Sequence, residues 1–168
     1  MADITDLTGL ITGVGIYFAD PGTTGTFEYM CGMNGRGVDQ TRERRTETAV
    51  LDCGPDASPE TLATSGAYDW SISGDASMQL KTFDFLAEWM TEGGERDIVV
   101  IYYTGPKGAR EAYSHIKGSA ILTQFGTNQG DAEGLMTASI TISKAGPSVY
   151  ARGIPSGVSL TPTMPVAP

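Results

Sequence analysis

The sequence predicts a mainly β fold, sandwich-like or barrel-like, with one flanking α-helix, an extended loop arm and a C-terminal arm. Three observations carry that expectation. From Tyr68 to Leu80 the chain alternates without a break. Tyr68, Trp70, Ile72, Gly74, Ala76, Met78 and Leu80 take one side, and Asp69, Ser71, Ser73, Asp75, Ser77 and Gln79 the other. A strand turns successive side chains to opposite faces, so the run has one core face and one small, polar, faintly acidic face. At about 3.3 Å per residue it spans roughly 40 Å, well beyond the common strand of about 5–6 residues. Second, 22 Gly and 9 Pro among 168 residues, with only 18% charged, suit an all-β chain rich in turns. Third, a single stretch, 83–92, has helical apolar spacing.

Taken in order, residues 1–11 read as a lead-in. Gly13–Phe18 and Thr26–Met33 form a predicted hairpin around the turn cluster 20–25, with Val14, Ile16, Phe18, Phe27, Tyr29, Cys31 and Met33 inward. Asn34-Gly35-Arg36-Gly37 breaks the pattern. Residues 38–51 are extended by propensity but polar on both faces, with Arg42, Glu43, Arg44, Arg45 and Glu47 among them. A β segment without an apolar face has no core of its own, so it is expected either as a solvated hairpin arm or as an interface covered by another chain. The Pro-containing stretch 52–65 reads as a long connection.

The helix is expected over 83–92, with Thr82 as N-cap, Asp84 in the first turn and Gly93-Gly94 as the stop. Its apolar stripe is Phe83, Leu86, Trp89 and Met90. Ile98–Thr104 is apolar on both faces and reads as a central strand. Strands follow over 112–125 and 135–144, separated by the turn 126–134. In the second of these Met136, Ala138, Ile140 and Ile142 face inward and Thr137, Ser139, Thr141 and Ser143 outward. The predicted core is Trp70, Ile72, Phe83, Leu86, Trp89, Met90, Ile140 and Ile142. Residues 1–146 are expected to form one domain, with 34–65 as its arm, and Pro-rich 147–168 a C-terminal arm.

Composition narrows the function. A net charge of −9 disfavours a nucleic-acid-binding surface. The N-terminus has no basic and apolar signal-peptide pattern, and no run approaches the roughly 18 apolar residues of a membrane span. Cys31 and Cys53 are expected as two reduced thiols. His115 is the one histidine, lies mid-strand, and has no Gly-x-Ser-x-Gly elbow to serve, so it reads as a solvated or interface residue. Zinc spacings are absent, and Asp52–Asp56 and Asn128–Glu133 lack calcium-loop spacing. Gly13-Val14-Gly15 and Gly105-Pro106-Lys107-Gly108 fail the context test for phosphate loops. No enzyme activity and no cofactor are expected.

The order of elements, with Ser71-Ile72-Ser73-Gly74-Asp75-Ala76, the helix 83–92 and the paired runs 118–125 and 136–142, resembles the tail tube proteins of long, flexible-tailed bacteriophages and of related gene transfer agents. That resemblance implies a structural virion protein of the tail, assembled in the host cytoplasm. It implies rings of six copies, stacked into a tube that conducts DNA to the host. The implied partners are further copies of the chain and the tape-measure, tail terminator and distal tail proteins, with no membrane. Within it, Asp69, Ser71, Ser73, Asp75, Ser77, Thr137, Ser139, Thr141 and Ser143 are expected to face the lumen, where an acidic wall gives phosphates nothing to adhere to. Arg42, Glu43, Arg44, Arg45 and Glu47 are expected between subunits or rings. Two rival readings are the ring protein of a contractile injection or type VI secretion tube, and a β-sandwich carbohydrate-binding module using Trp70, Tyr102 or Tyr103 as platforms.

Overall fold

A computed structural model describes residues 10–20, 24–30, 33–49, 60–77, 79–106, 108–129 and 136–161. Cys31, Cys53, Met78, the stretch 50–59, the turn 130–135 and both chain ends lie outside the described residues. The strands are β1 (Ile11–Ala19), β2 (Thr26–Tyr29), β3 (Met33–Ala49), β4 (Glu60–Ser77), β5 (Arg96–Thr104), β6 (Glu111–Gln129), β7 (Met136–Arg152) and β8 (Ser159–Thr161), with helix α1 (Leu80–Glu92) between β4 and β5. They form one sheet in the order β3-β4-β7-β6-β5-β1-β2-β8. Every pair is antiparallel except β2 with β8.

The sheet wraps on itself. Side chains of β3 and β4 reach β1 and β5, which are far away in strand order. The Arg36 guanidinium donates to the Val14 carbonyl oxygen, Gln40 Nε2 donates to the Tyr102 hydroxyl at 3.0 Å, and the Tyr68 hydroxyl donates to Gln40 Oε1 at 2.9 Å. The enclosed side holds the main core: Ile16 and Phe18 from β1, Trp70 and Ile72 from β4, Leu86 and Trp89 from α1, Ile98 and Val100 from β5, and Ile140 and Ile142 from β7. β5 is apolar on both faces as expected, because Val99 and Ile101 join Tyr17 and Phe27 in a second cluster on the reverse side. The predicted hairpin therefore splits its apolar residues: Ile16 and Phe18 enter the main core, and Phe27 the second cluster.

Several boundaries move. Residues 33–37 continue as strand, with a register shift between Met33 and Gly35 in place of a break. Glu60–Ser65, expected as loop, pairs with Arg44–Ala49. β7 runs past Gly146 to Arg152, and Ser159–Thr161 pairs with β2, so these parts of the stretch expected as an arm from 147 are strand, and 162–168 lie outside the described residues. Pro147 is accommodated because it falls in a gap of the β6–β7 ladder, between Lys144↔Ala120 and Ser148↔Gly118, where no N–H is needed. The helix begins at Leu80, with Gln79 as its N-cap residue, so Thr82 is not a cap but a buried residue within the helix, and Asp84 lies beyond the first turn. Its inward stripe is Thr82, Phe85, Leu86 and Trp89. Met90, expected in the core, is 44% exposed. Phe83 is half-buried against Phe125, with ring centroids 5.8 Å apart. Trp89 packs edge-on to Phe18 at 5.5 Å and donates from Nε1 to the Gly94 carbonyl at 3.0 Å. Gly93, at φ 69°, ends the helix and returns its N–H to the Trp89 carbonyl at 2.9 Å.

In the second cluster the Tyr17 and Tyr103 hydroxyls meet at 2.6 Å. Burial first, and then that hydrogen bond, push the Tyr17 phenol above its ordinary value of 10. The folded state thus holds this proton more tightly than the unfolded chain does. The stabilisation is complete below pH 10 and is lost as pH rises through the folded value. Urea midpoints measured against pH are expected to fall more steeply above 10 in the wild type than in Tyr17→Phe. Equal slopes would contradict this role.

Candidate functional site

The register of four strands builds one continuous polar face. β4 and β7 place Ser71 opposite Ser143, Ser73 opposite Thr141, Asp75 opposite Ser139 and Ser77 opposite Thr137. Directly opposed residues of antiparallel strands share a face, and Asp69 shares it by alternation. All nine residues expected to line a lumen are thus brought onto one surface, their backs against the core formed by Trp70, Ile72, Ile140 and Ile142.

The face is wider than the sequence indicated. β3 adds Gly37 opposite Ser73, Asp39 opposite Ser71 and Thr41 opposite Asp69. β6 adds Gln124 opposite Thr141, Gly126 opposite Ser139 and Asn128 opposite Thr137. Local periodicity does not mark these positions, because β3 reads as polar on both sides and a register shift between Leu122 and Gln124 interrupts the alternation of β6.

Chemically the face is mainly small and polar, with one exposed apolar side chain, Ile121, opposite Ser143. Its carboxylates are Asp39, Asp69 and Asp75, no Lys or Arg is opposed to Asp69–Ser77 on this side, and Lys117 follows further along the same face of β6. Several of its hydroxyls are tied down along the sheet. Thr123 Oγ1 donates to the Thr141 carbonyl at 3.1 Å, Thr137 Oγ1 to the Asn128 carbonyl at 3.2 Å, and Thr141 Oγ1 to Gln124 Oε1 at 3.3 Å. A shallow groove of about 490 Å³ runs beside Asp75, Gly126, Asn128, Thr137 and Ser139, and the lack of cations opposed to Asp69–Ser77 on this side leaves no fixed counter-charge there for a passing polyanion.

The residues expected at subunit contacts lie elsewhere. β4 pairs with β7 only over Ser71–Ser77, whereas β3 and β4 pair onward from Arg42 to Ala49. Residues 41–49 and 60–69 therefore extend past the sheet body as a two-stranded ribbon carrying Arg42, Glu43, Arg44, Arg45 and Glu47. At its kink the ladder skips between Arg42 and Arg44, and Gly66 admits Glu43, whose Cβ would lie 2.9 Å from any Cβ added there. Arg42 stacks 5.8 Å from the Tyr68 ring centroid, and Arg45 pairs with Glu43 at 3.3 Å with both side chains exposed. An ion pair so exposed adds little stability.

Catalytic geometry does not arise around His115. It is buried, not solvated, and its Nδ1 donates to the Gly153 carbonyl at 2.7 Å, a structural role within β6. Among the described residues no group of three or more His, Cys, Asp or Glu is placed to hold a metal ion. Trp70 is 1% exposed and the Tyr103 hydroxyl is engaged with Tyr17, which removes two of the aromatic platforms a sugar-binding module would need.

Residues 15–150 match the family model of the phage tail tube protein. The chain belongs to the phage tail tube protein family. It is a structural component of a phage tail and not an enzyme. Solved structures share the fold of this tail tube protein. One is the tail of an empty gene transfer agent particle refined with C6 symmetry (TM-score 0.61, 19% identity, 82% of this chain and 95% of that chain covered). Another is the SPP1 tail tube (0.57, 14%, 85% and 78%). A third is the sheath–tube complex of an extracellular contractile injection system (0.54, 12%, 83% and 88%). A search of curated protein sequences finds no match.

Proposed function

We propose that this tail tube protein closes into rings of six, that the rings stack into a hollow tube, and that the β3/β4/β7/β6 polar face lines the channel through which DNA leaves the particle. The observation that carries this reading is the face itself, which spans four strands, bears three aspartates and no cation over Asp69–Ser77 and the residues opposed to it, and has several of its hydroxyls bonded along the sheet. The C6 symmetry of the gene transfer agent tail with the same fold supports six-membered rings. Sheet edges support closure as well: β3 is an edge strand 17 residues long, and a long unpaired edge is an aggregation liability that a neighbouring subunit removes. The β3–β4 ribbon, with Arg42, Glu43, Arg44, Arg45 and Glu47, reaches neighbouring subunits or rings. Tape-measure protein inside the tube, and terminator and distal tail proteins at its ends, complete the assembly in the host cytoplasm.

The test is charge reversal on the wall. Particles carrying Asp69→Lys with Asp75→Lys are expected to show normal tubes by electron microscopy while DNA delivery falls on the order of tenfold or more, because each ring then presents fixed cations to the phosphates. Normal delivery through normal tubes would take these positions off the wall.

A further inference from the structure

Beside the free edge of β1 lies a cationic socket that the channel does not use. β2 pairs with β1 only at Tyr17–Ala19, leaving the outer edge of Ile11–Val14 open. There a cavity of about 470 Å³ is lined by Ile11, Gly13, Val14, Met33, Arg36 and Arg110. Arg36 is fixed in place: it donates from Nε to the Met33 carbonyl at 3.1 Å and from its guanidinium to the Val14 carbonyl, and it stacks 5.1 Å from the Tyr29 ring centroid. The Arg110 guanidinium lies over Gly13, where an added Cβ would come within 2.9 Å of Nη1, so the glycine makes room for it. Among the described residues Arg110 has no hydrogen bond or ion pair, and no carboxylate lines the cavity. Two guanidiniums facing one cavity without an anion repel one another, and a carboxylate is the ligand their geometry suits. Leu10 and Ile11, both more than half exposed, extend the site with an apolar shoulder.

The complementary surface is on α1. Leu80, Asp84 and Glu88 recur every fourth residue on one exposed stripe, and neither carboxylate has a cation partner among the described residues. Within its own chain α1 does not line the cavity among the described residues, because the helix is held at β5 and β2, where Arg96 stacks on Phe85 and Lys81 pairs with Glu28 at 2.9 Å.

We infer that the Arg36/Arg110 cavity receives the Leu80/Asp84/Glu88 stripe of α1 from a second copy of the chain. Each copy then offers one socket and one plug, a head-to-tail contact that propagates around a ring or along a stack. The inference rests on the tube-forming reading and names a contact surface for it.

Two variants test it separately from tube formation. Arg110→Ala spoils the socket and keeps the plug; Asp84→Asn with Glu88→Gln spoils the plug and keeps the socket. Every position changed is exposed, so both are expected to keep the wild-type melting temperature, sediment as monomers alone, and form a one-to-one, salt-sensitive complex when mixed. A mixture that stays monomeric overturns the socket. Wild-type samples viewed in parallel by negative-stain electron microscopy separate the two readings: tubes with a monomeric mixture refute the socket alone, and a one-to-one complex without wild-type tubes refutes tube formation alone.

Discussion

A chain in which residues 43–67 are replaced by an Asn-Gly turn is expected to fold, to melt within a few degrees of the wild type, and to form no tubes. Arg42 and Tyr68 are directly opposed, so a two-residue turn of that type closes the shortened hairpin with the right twist. No described residue between 43 and 67 belongs to either apolar cluster, while Val38 and Tyr68, which the excision leaves in place, pack against the main core. The deletion removes an exposed ion pair and leaves the sheet body intact. What it removes entirely is the ribbon that extends past that body. Calorimetry with electron microscopy of the same sample checks both halves, and tubes of normal length from the shortened chain would refute the ribbon's role in assembly.

Trp89→Ala is expected to cost about 3–5 kcal/mol, the usual range for removing a large buried aromatic. The indole is 1% exposed, holds Phe18 and Phe85 around it, and anchors the helix end through its bond to the Gly94 carbonyl. Arg96, stacked 4.9 Å from the Phe85 ring centroid and 5.8 Å from that of Trp89, loses part of its seat as well. Against a typical domain stability of about 5–15 kcal/mol that loss is severe. Met90→Ala, one residue along and 44% exposed, is expected to change stability by about 0.5 kcal/mol or less. Urea denaturation of the two variants checks the contrast, and equal costs would mean the helix is rotated from the orientation described.

That contrast also marks what the sequence could reveal. Trp89 and Leu86 fall on any helical stripe through the region, so they were legible. Met90 was not, because the inward stripe runs through Thr82 and Phe85, and a polar Thr on it does not register as apolar periodicity. Leu80 happens to continue the odd–even pattern of β4, yet it opens the helix and is 78% exposed. Alternation in β4 and β7 was readable because neither strand is interrupted where they pair, and it gave both the core side and the polar side. The contributions of β3 and β6 to the same face depend on which strands become neighbours, which local periodicity does not encode. Pro147 and the later prolines suggested an arm, but a gap in the ladder lets β7 pass through the first of them. The Arg36/Arg110 cavity was invisible in sequence, since Arg36 comes from β3, Arg110 from the turn before β6, and Gly13 from β1.

The measurement that bears most directly on the central claim is a helical cryo-electron-microscopy reconstruction of tubes assembled from the full chain, at a resolution that traces strands. It is expected to show six copies per ring with Ser73, Asp75, Ser139 and Thr141 on the inner wall. Tubes in which that face lies on the outer surface, or is buried between rings, would contradict it.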